Sequence, residues 1–213
     1  FEHQRLGPAL DLRVAGELWN DRTHIHARGY RVDVQNNLDQ GEHRLAIRVA
    51  PARGKPAVQA SLRCLHDLEQ NHPLVVMLPV GPNQGMYSHK VALPLEGSIR
   101  VGDRMYRADG DESFAILDIH KAHYPHHTWW NWATAAGRDA QGRALAFNLT
   151  RNVNPDDDRY NENGFWVDGA LTHLGPARFE FDPQNVMAPW RLGTVDGRVD
   201  LESALRYLAE QEI

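Results

Sequence analysis

Residues 119–136, IHKAHYPHHTWWNWATAA, hold four of the chain's twelve histidines and three of its six tryptophans. Histidine titrates near neutrality, and tryptophan combines a large apolar body with one polar N–H, so this density points to a ligand wall or to an aromatic core. Two carboxylates lie close to such aromatics. Asp118 ends an apolar run just before the ribbon, and Glu162 precedes Phe165-Trp166. A carboxyl in an apolar pocket is raised towards a general acid, while a polar neighbour keeps another ionised. Asp118 or Glu162 is therefore a candidate proton donor, and His123 a candidate base or orienter. The plainer alternative is a turn hydrogen bond for Glu162 and an arginine partner for Asp118. Lys90, one of three lysines, follows Tyr87-Ser88-His89 at a strand start. It reads either as solvated or as the partner of a buried carboxylate.

Other chemistries find less support. The ribbon histidines at 120, 123, 126 and 127 are broken by Tyr124-Pro125. His24-Ile25-His26 has the i, i+2 spacing that a strand needs for a two-histidine site, but no carboxylate follows it. No bound metal and no cofactor is expected. No serine sits in a G-x-S-x-G turn, and no glycine-rich phosphate cradle is present.

A net charge of −5 with dispersed arginines argues against a nucleic-acid partner. No apolar run is long enough to span a membrane, and the first residues lack a signal-peptide pattern. Cys64 alone allows no internal disulfide. The expectation is a cytoplasmic protein whose partner is an apolar small molecule or lipid.

The elements that position these groups read as β. Short apolar or alternating runs fall at 10–18, 44–50, 58–65, 74–80, 90–95, 114–119, 128–136, 144–150, 165–167 and 177–181, separated by turn clusters. Asp168-Gly169 and Asp196-Gly197 suit two-residue hairpins. The pattern predicts an all-β fold, an antiparallel meander closing into a lipocalin-like barrel or a sandwich. A short C-terminal helix is expected where Asp200 caps Leu201, Ala204, Leu205 and Leu208. An N-terminal β half over 1–100 and a C-terminal half over 101–213 carrying the ribbon are expected, possible as one continuous domain. Bulky residues on both faces of 128–136 predict a central strand. On 144–150, Ala146, Asn148 and Thr150 form a polar face that suits either a cavity interior or a solvated exterior. The polar loop 154–163 is a candidate lid.

Several pieces in order carry a resemblance: Tyr87-Ser88-His89-Lys90, Leu117-Asp118, Tyr124-Pro125 with Thr128-x-Trp130-x-Trp132-Ala133, Gly137 to Gly142, Asn148-Leu149, Glu162-Asn163-Gly164 with Val167-Asp168-Gly169, and Pro189-Trp190-Arg191-Leu192 with Asp196 to Leu201. Together they resemble the bacterial domain-of-unknown-function family 2804, strongly over about residues 70–201 and weakly before them. The resemblance implies a calycin-like fold, distantly similar to carotenoid hydratase and tocopherol cyclase relatives, and no established activity. Two functions are expected. The first is binding of a hydrophobic molecule by Trp130, Trp132, Asn148, Trp166, Trp190 and Lys90. The second is a cofactor-free hydratase, lyase or cyclase in which Asp118, His123 and Glu162 do acid–base work and Trp130, Trp132 and Trp166 face a developing cation. A metal-dependent hydrolase comes third.

Overall fold

The computed structural model describes residues 10–154 and 156–203. Among the described residues fifteen strands follow one another: β1 (Asp11–Arg13), β2 (Asp21–Ala27), β3 (Tyr30–Asn37), β4 (Glu42–Val49), β5 (Val58–Leu65), β6 (Leu74–Gly81), β7 (Gln84–Val101), β8 (Arg104–Ala122), β9 (Asn131–Arg138), β10 (Ala144–Arg151), β11 (Gly164–Val167), β12 (Ala170–His173), β13 (Ala177–Glu180), β14 (Trp190–Thr194) and β15 (Asp200–Ser203). One 3-10 turn, Leu38–Gln40, interrupts them. No helix among the described residues is long and apolar enough to cross a membrane. The described chain forms two compact units, residues 10–71 with 93–115, and residues 72–92 with 116–203.

In the first unit β1 to β5 pair in sequence order, and β5 then pairs with residues 95–101 of β7. The β2–β3 hairpin turns at Arg28-Gly29, where Gly29 adopts a φ of 91° that a β-carbon would resist. The hairpin's alternation is weak. Most of β2 and β3 is half-buried, so the period-2 signal that marks β5 is missing from DRTHIHA.

In the second unit β6 pairs with residues 84–90 of β7, across a turn at Pro82-Asn83. A four-stranded sheet runs β12-β11-β10-β9 and a three-stranded one β13-β14-β15. Leu149 of β10, Leu174, Ala177 of β13, Leu192 of β14 and Val199 share one apolar core, which layers these two sheets. Leu74, Ala92, Ala146 and Trp166 form another cluster, and the Trp166 indole N–H donates to the His72 carbonyl at 2.8 Å. Asp168 and Gly169 have φ of 48° and 82°, the paired positive values of a two-residue hairpin between β11 and β12.

The all-β antiparallel expectation is met, with four corrections. Among the described residues no sheet closes on itself, so the sheets are open rather than a barrel. The expected C-terminal helix is replaced at its start. Asp200 and Leu201 of β15 pair with Gly193 and Leu192 of β14, because Leu201 finds an apolar partner across the ladder; Ala204, Leu205 and Leu208 lie outside the described residues. Asp196-Gly197 belongs to a longer connection over residues 195–199, not a two-residue turn. Finally, β9 ends its sheet instead of lying within it, and the bulky Trp129 and Trp130 precede the strand and are exposed.

Gly97 is closely approached by the neighbouring strand. It has a φ of 126°, and a β-carbon there would lie 2.1 Å from the Ser61 carbonyl oxygen. Gly97→Ala combines backbone strain with overpacking against a neighbouring strand and is expected to cost about 2–4 kcal/mol. The shift of the urea midpoint measures it.

Candidate functional site

Within the second unit, strand alternation places four polar side chains together. Ser88 and Lys90 are i, i+2 on β7, and Asp118 and His120 are i, i+2 on β8, so each pair points to one face. The segment before β11 supplies Glu162. Lys90 is 1% exposed and Glu162 2%, while the side chains of Asp118 and His120 keep 26% and 28% of their surface. The group thus has a buried floor and an edge open to solvent.

Lys90 Nζ lies 2.7 Å from Asp118 Oδ1 and 3.6 Å from Glu162 Oε1. His120 Nε2 lies 3.1 Å from Asp118 Oδ1, 3.4 Å from Glu162 Oε2 and 3.2 Å from Lys90 Nζ. Ser88 donates its hydroxyl to Glu162 Oε2 at 2.5 Å. Asn148 of β10 donates to the Glu162 backbone carbonyl at 2.7 Å and accepts from the Trp132 indole at 2.8 Å. The Trp132 ring sits with its centroid 5.5 Å from Lys90 Nζ, within reach of a cation–π attraction. The polar face of β10 is therefore buried, Asn148 fully and Thr150 nearly so.

The opposite nitrogen of His120 meets the Tyr124 hydroxyl at 2.9 Å, and that hydroxyl also lies 3.2 Å from Met86 Sδ. Two proton arrangements fit these contacts. With the proton on Nε2, His120 donates towards the carboxylates and its Nδ1 accepts from Tyr124. With the proton on Nδ1, His120 donates to the Tyr124 oxygen, Tyr124 donates to sulfur, and Nε2 accepts from Lys90. A proton can pass between the carboxylate side and the tyrosine side through one ring.

Burial pushes the Glu162 carboxyl up, but the His120 hydrogen bond, the Lys90 charge and the Ser88 hydroxyl outweigh it, so Glu162 is held below the ordinary glutamate range. It rests ionised. Burial, with Glu162 and Asp118 nearby, pushes the Tyr124 hydroxyl above its usual value and keeps it protonated.

Of the residues singled out in the sequence, Lys90, Asp118, Trp132, Asn148 and Glu162 come together. The imidazole among them is His120; His123 is exposed, and its backbone N–H donates to the Gly85 carbonyl at 3.2 Å. Trp130 is 49% exposed, near the start of β9. Trp166 is packed in the core, and Trp190 stacks on Phe181 at 4.3 Å with its N–H on the Val186 carbonyl. Ser88 and Tyr124 are additions, and for Ser88 the i, i+2 relation to Lys90 was the available signal. The described residues of the candidate lid 154–163 are tied to their neighbours: Asn163 accepts from the Thr150 N–H at 2.7 Å and donates to the Gly175 carbonyl at 3.0 Å, and Asp158 pairs with Arg151 at 2.9 Å.

A family model described as Domain of unknown function (DUF2804) matches residues 6–204. No curated protein and no solved structure matches the chain.

Two outcomes follow for stability. Lys90→Met leaves Glu162 charged and buried without its cation and is expected to cost about 3–5 kcal/mol, whereas Lys90→Met with Glu162→Gln recovers part of the loss. Chemical denaturation of the three proteins checks this. Because Glu162 has a depressed folded-state pKa, its contribution is full above the ordinary value of about 4.3 and fades as pH falls through the lower folded value. Glu162→Gln should therefore flatten the acid limb of the stability curve.

Proposed function

The chain belongs to the DUF2804 family, and from its buried ion network we propose a cofactor-free enzyme of the hydratase, lyase or cyclase class that moves a proton on or off an unsaturated apolar substrate. The observation that carries this reading is His120, with one nitrogen among Asp118, Glu162 and Lys90 and the other on Tyr124. His120 is the exchanging group. Asp118, the more exposed carboxylate, takes or returns the substrate proton; Glu162 and Lys90 hold the surrounding charge fixed, which is how such sites lower a barrier without reorganising. Glu162, ionised at rest, is the electrostatic partner and not the donor. Trp132 offers its face to positive charge developing on the substrate. Trp129, Trp130 and Tyr124, all substantially exposed within one segment, supply apolar surface for the substrate body. A distant, fold-level likeness to calycin-type hydratase and cyclase relatives and a bacterial cytoplasmic setting belong to the same proposal.

A second reading, binding without turnover, is favoured by an open groove of about 540 Å³ lined by Ala133, Ala135, Phe147, Leu192 and Leu201. That volume lies within the usual range of small-molecule sites.

Incubating the purified chain with a panel of polyenes and cyclisable isoprenoids in D2O, followed by mass spectrometry, separates the two. The enzyme reading expects deuterium or water incorporated into a product, with His120→Gln and Asp118→Asn each lowering turnover by about 10²–10⁴-fold while saturable tryptophan quenching persists. Trp132→Ala should weaken that quenching titration by more than about 1 kcal/mol. Saturable quenching with no product, in the native chain, would leave the binder.

A further inference from the structure

We propose that Asp11, His24 and His26 form a site for one divalent transition ion of the zinc class, in the first unit and separate from the acid–base network. His24 and His26 alternate on β2 and so share a face, with ring centroids 4.7 Å apart. The missing carboxylate arrives from upstream. In the β1–β2 ladder Asp11 stands opposite His26, and Arg13 opposite His24. Asp11 Oδ1 lies 3.0 Å from His24 Nε2, and Asp11 Oδ2 lies 3.4 Å from His26 Nδ1. One ligand atom from each of the three residues falls within 4.8 Å of the others. Ligand atoms bound at about 2.0–2.1 Å around a tetrahedral ion stand about 3.3 Å apart, so little movement is needed to close on a metal.

The second imidazole nitrogen strengthens the assignment. His26 Nε2 lies 2.9 Å from Asp33 Oδ1, the carboxylate–histidine pairing that fixes the tautomer and raises the basicity of a ligating ring. Arg22 and Arg31 hold Asp33 in turn. His24 is the less secured ligand, since its Nδ1 is buried without a hydrogen-bond partner among the described residues. The Asp11 side chain is 68% exposed, leaving room for water to complete the shell. Two histidines and one carboxylate suit zinc, cobalt or nickel better than calcium or magnesium. Bound there, the ion would clamp β1, a three-residue strand, to its neighbour.

The whole chain, stripped with chelator, is titrated with Co²⁺ and read by visible d–d absorption. One equivalent should bind, be displaced by Zn²⁺, and raise the melting temperature. His26→Ala, His24→Ala and Asp11→Asn should each weaken binding at least tenfold, and Asp33→Asn by about 10–100-fold, the scale for removing a carboxylate behind a ligating histidine. Replacing His126 and His127, which belong to the second unit, with alanine should leave the titration unchanged. Circular dichroism verifies folding, and Asp11→Asn alters an exposed side chain, so it serves if a histidine variant fails to fold. No Co²⁺ uptake by the native chain, or uptake that survives both histidine substitutions and Asp11→Asn, would overturn the proposal.

Discussion

The ammonium of Lys90 is 1% exposed, and a buried unit charge without partners is too costly to keep. That constraint arranges the second unit. β8 must bring Asp118 to Lys90, the segment before β11 must bring Glu162, and the remaining acceptors must be filled by Ser88 and His120. The backbone of Glu162 is in turn fixed by Asn148, whose other contact is Trp132. The buried polar face of β10 is thus a support for the ion network. Such a network is weak evidence for stability, because desolvation offsets most of its attraction and an apolar core of similar volume often does as well. Under the proposed function these fixed charges frame the His120 ring.

Half of that network was legible in the residues. Strand runs, the Asp168-Gly169 hairpin and the proximity of carboxylates to aromatics follow from periodicity and turn chemistry, and Lys90 stood out as one of few lysines beside a strand start. The choice of His120 over His123 was also within reach, since only His120 shares the face of Asp118 if the strand continues through the ribbon. Reading the ribbon as beginning a new strand at residue 128 hid this, because β8 runs on to Ala122. Burial of Lys90 against Glu162 was beyond reach, for it depends on residues 72 positions apart in the chain. The open sheets were equally hidden, as alternation fixes which face is apolar but says nothing about whether the first and last strands meet.

The same limit explains β1 to β3. His24-Ile25-His26 displays its spacing openly, yet the carboxylate that completes the triangle lies thirteen residues earlier on an edge strand. Long-range pairing, not local pattern, assembles both polar groups. In each, the i, i+2 alternation of a strand supplies two side chains, and a neighbouring segment supplies a carboxylate.

The ionisation of Glu162 is the centre of the account, because it decides whether this residue frames the chemistry or donates the proton. A ¹³C NMR titration of the Glu162 side-chain carboxyl, in the intact chain, tests it directly. The account predicts that the carboxyl stays ionised to pH values below the ordinary glutamate range, with an inflection that moves upward in Lys90→Met. An inflection well above that range in the native chain would make Glu162 a buried acid and contradict the assignment of the proton to His120.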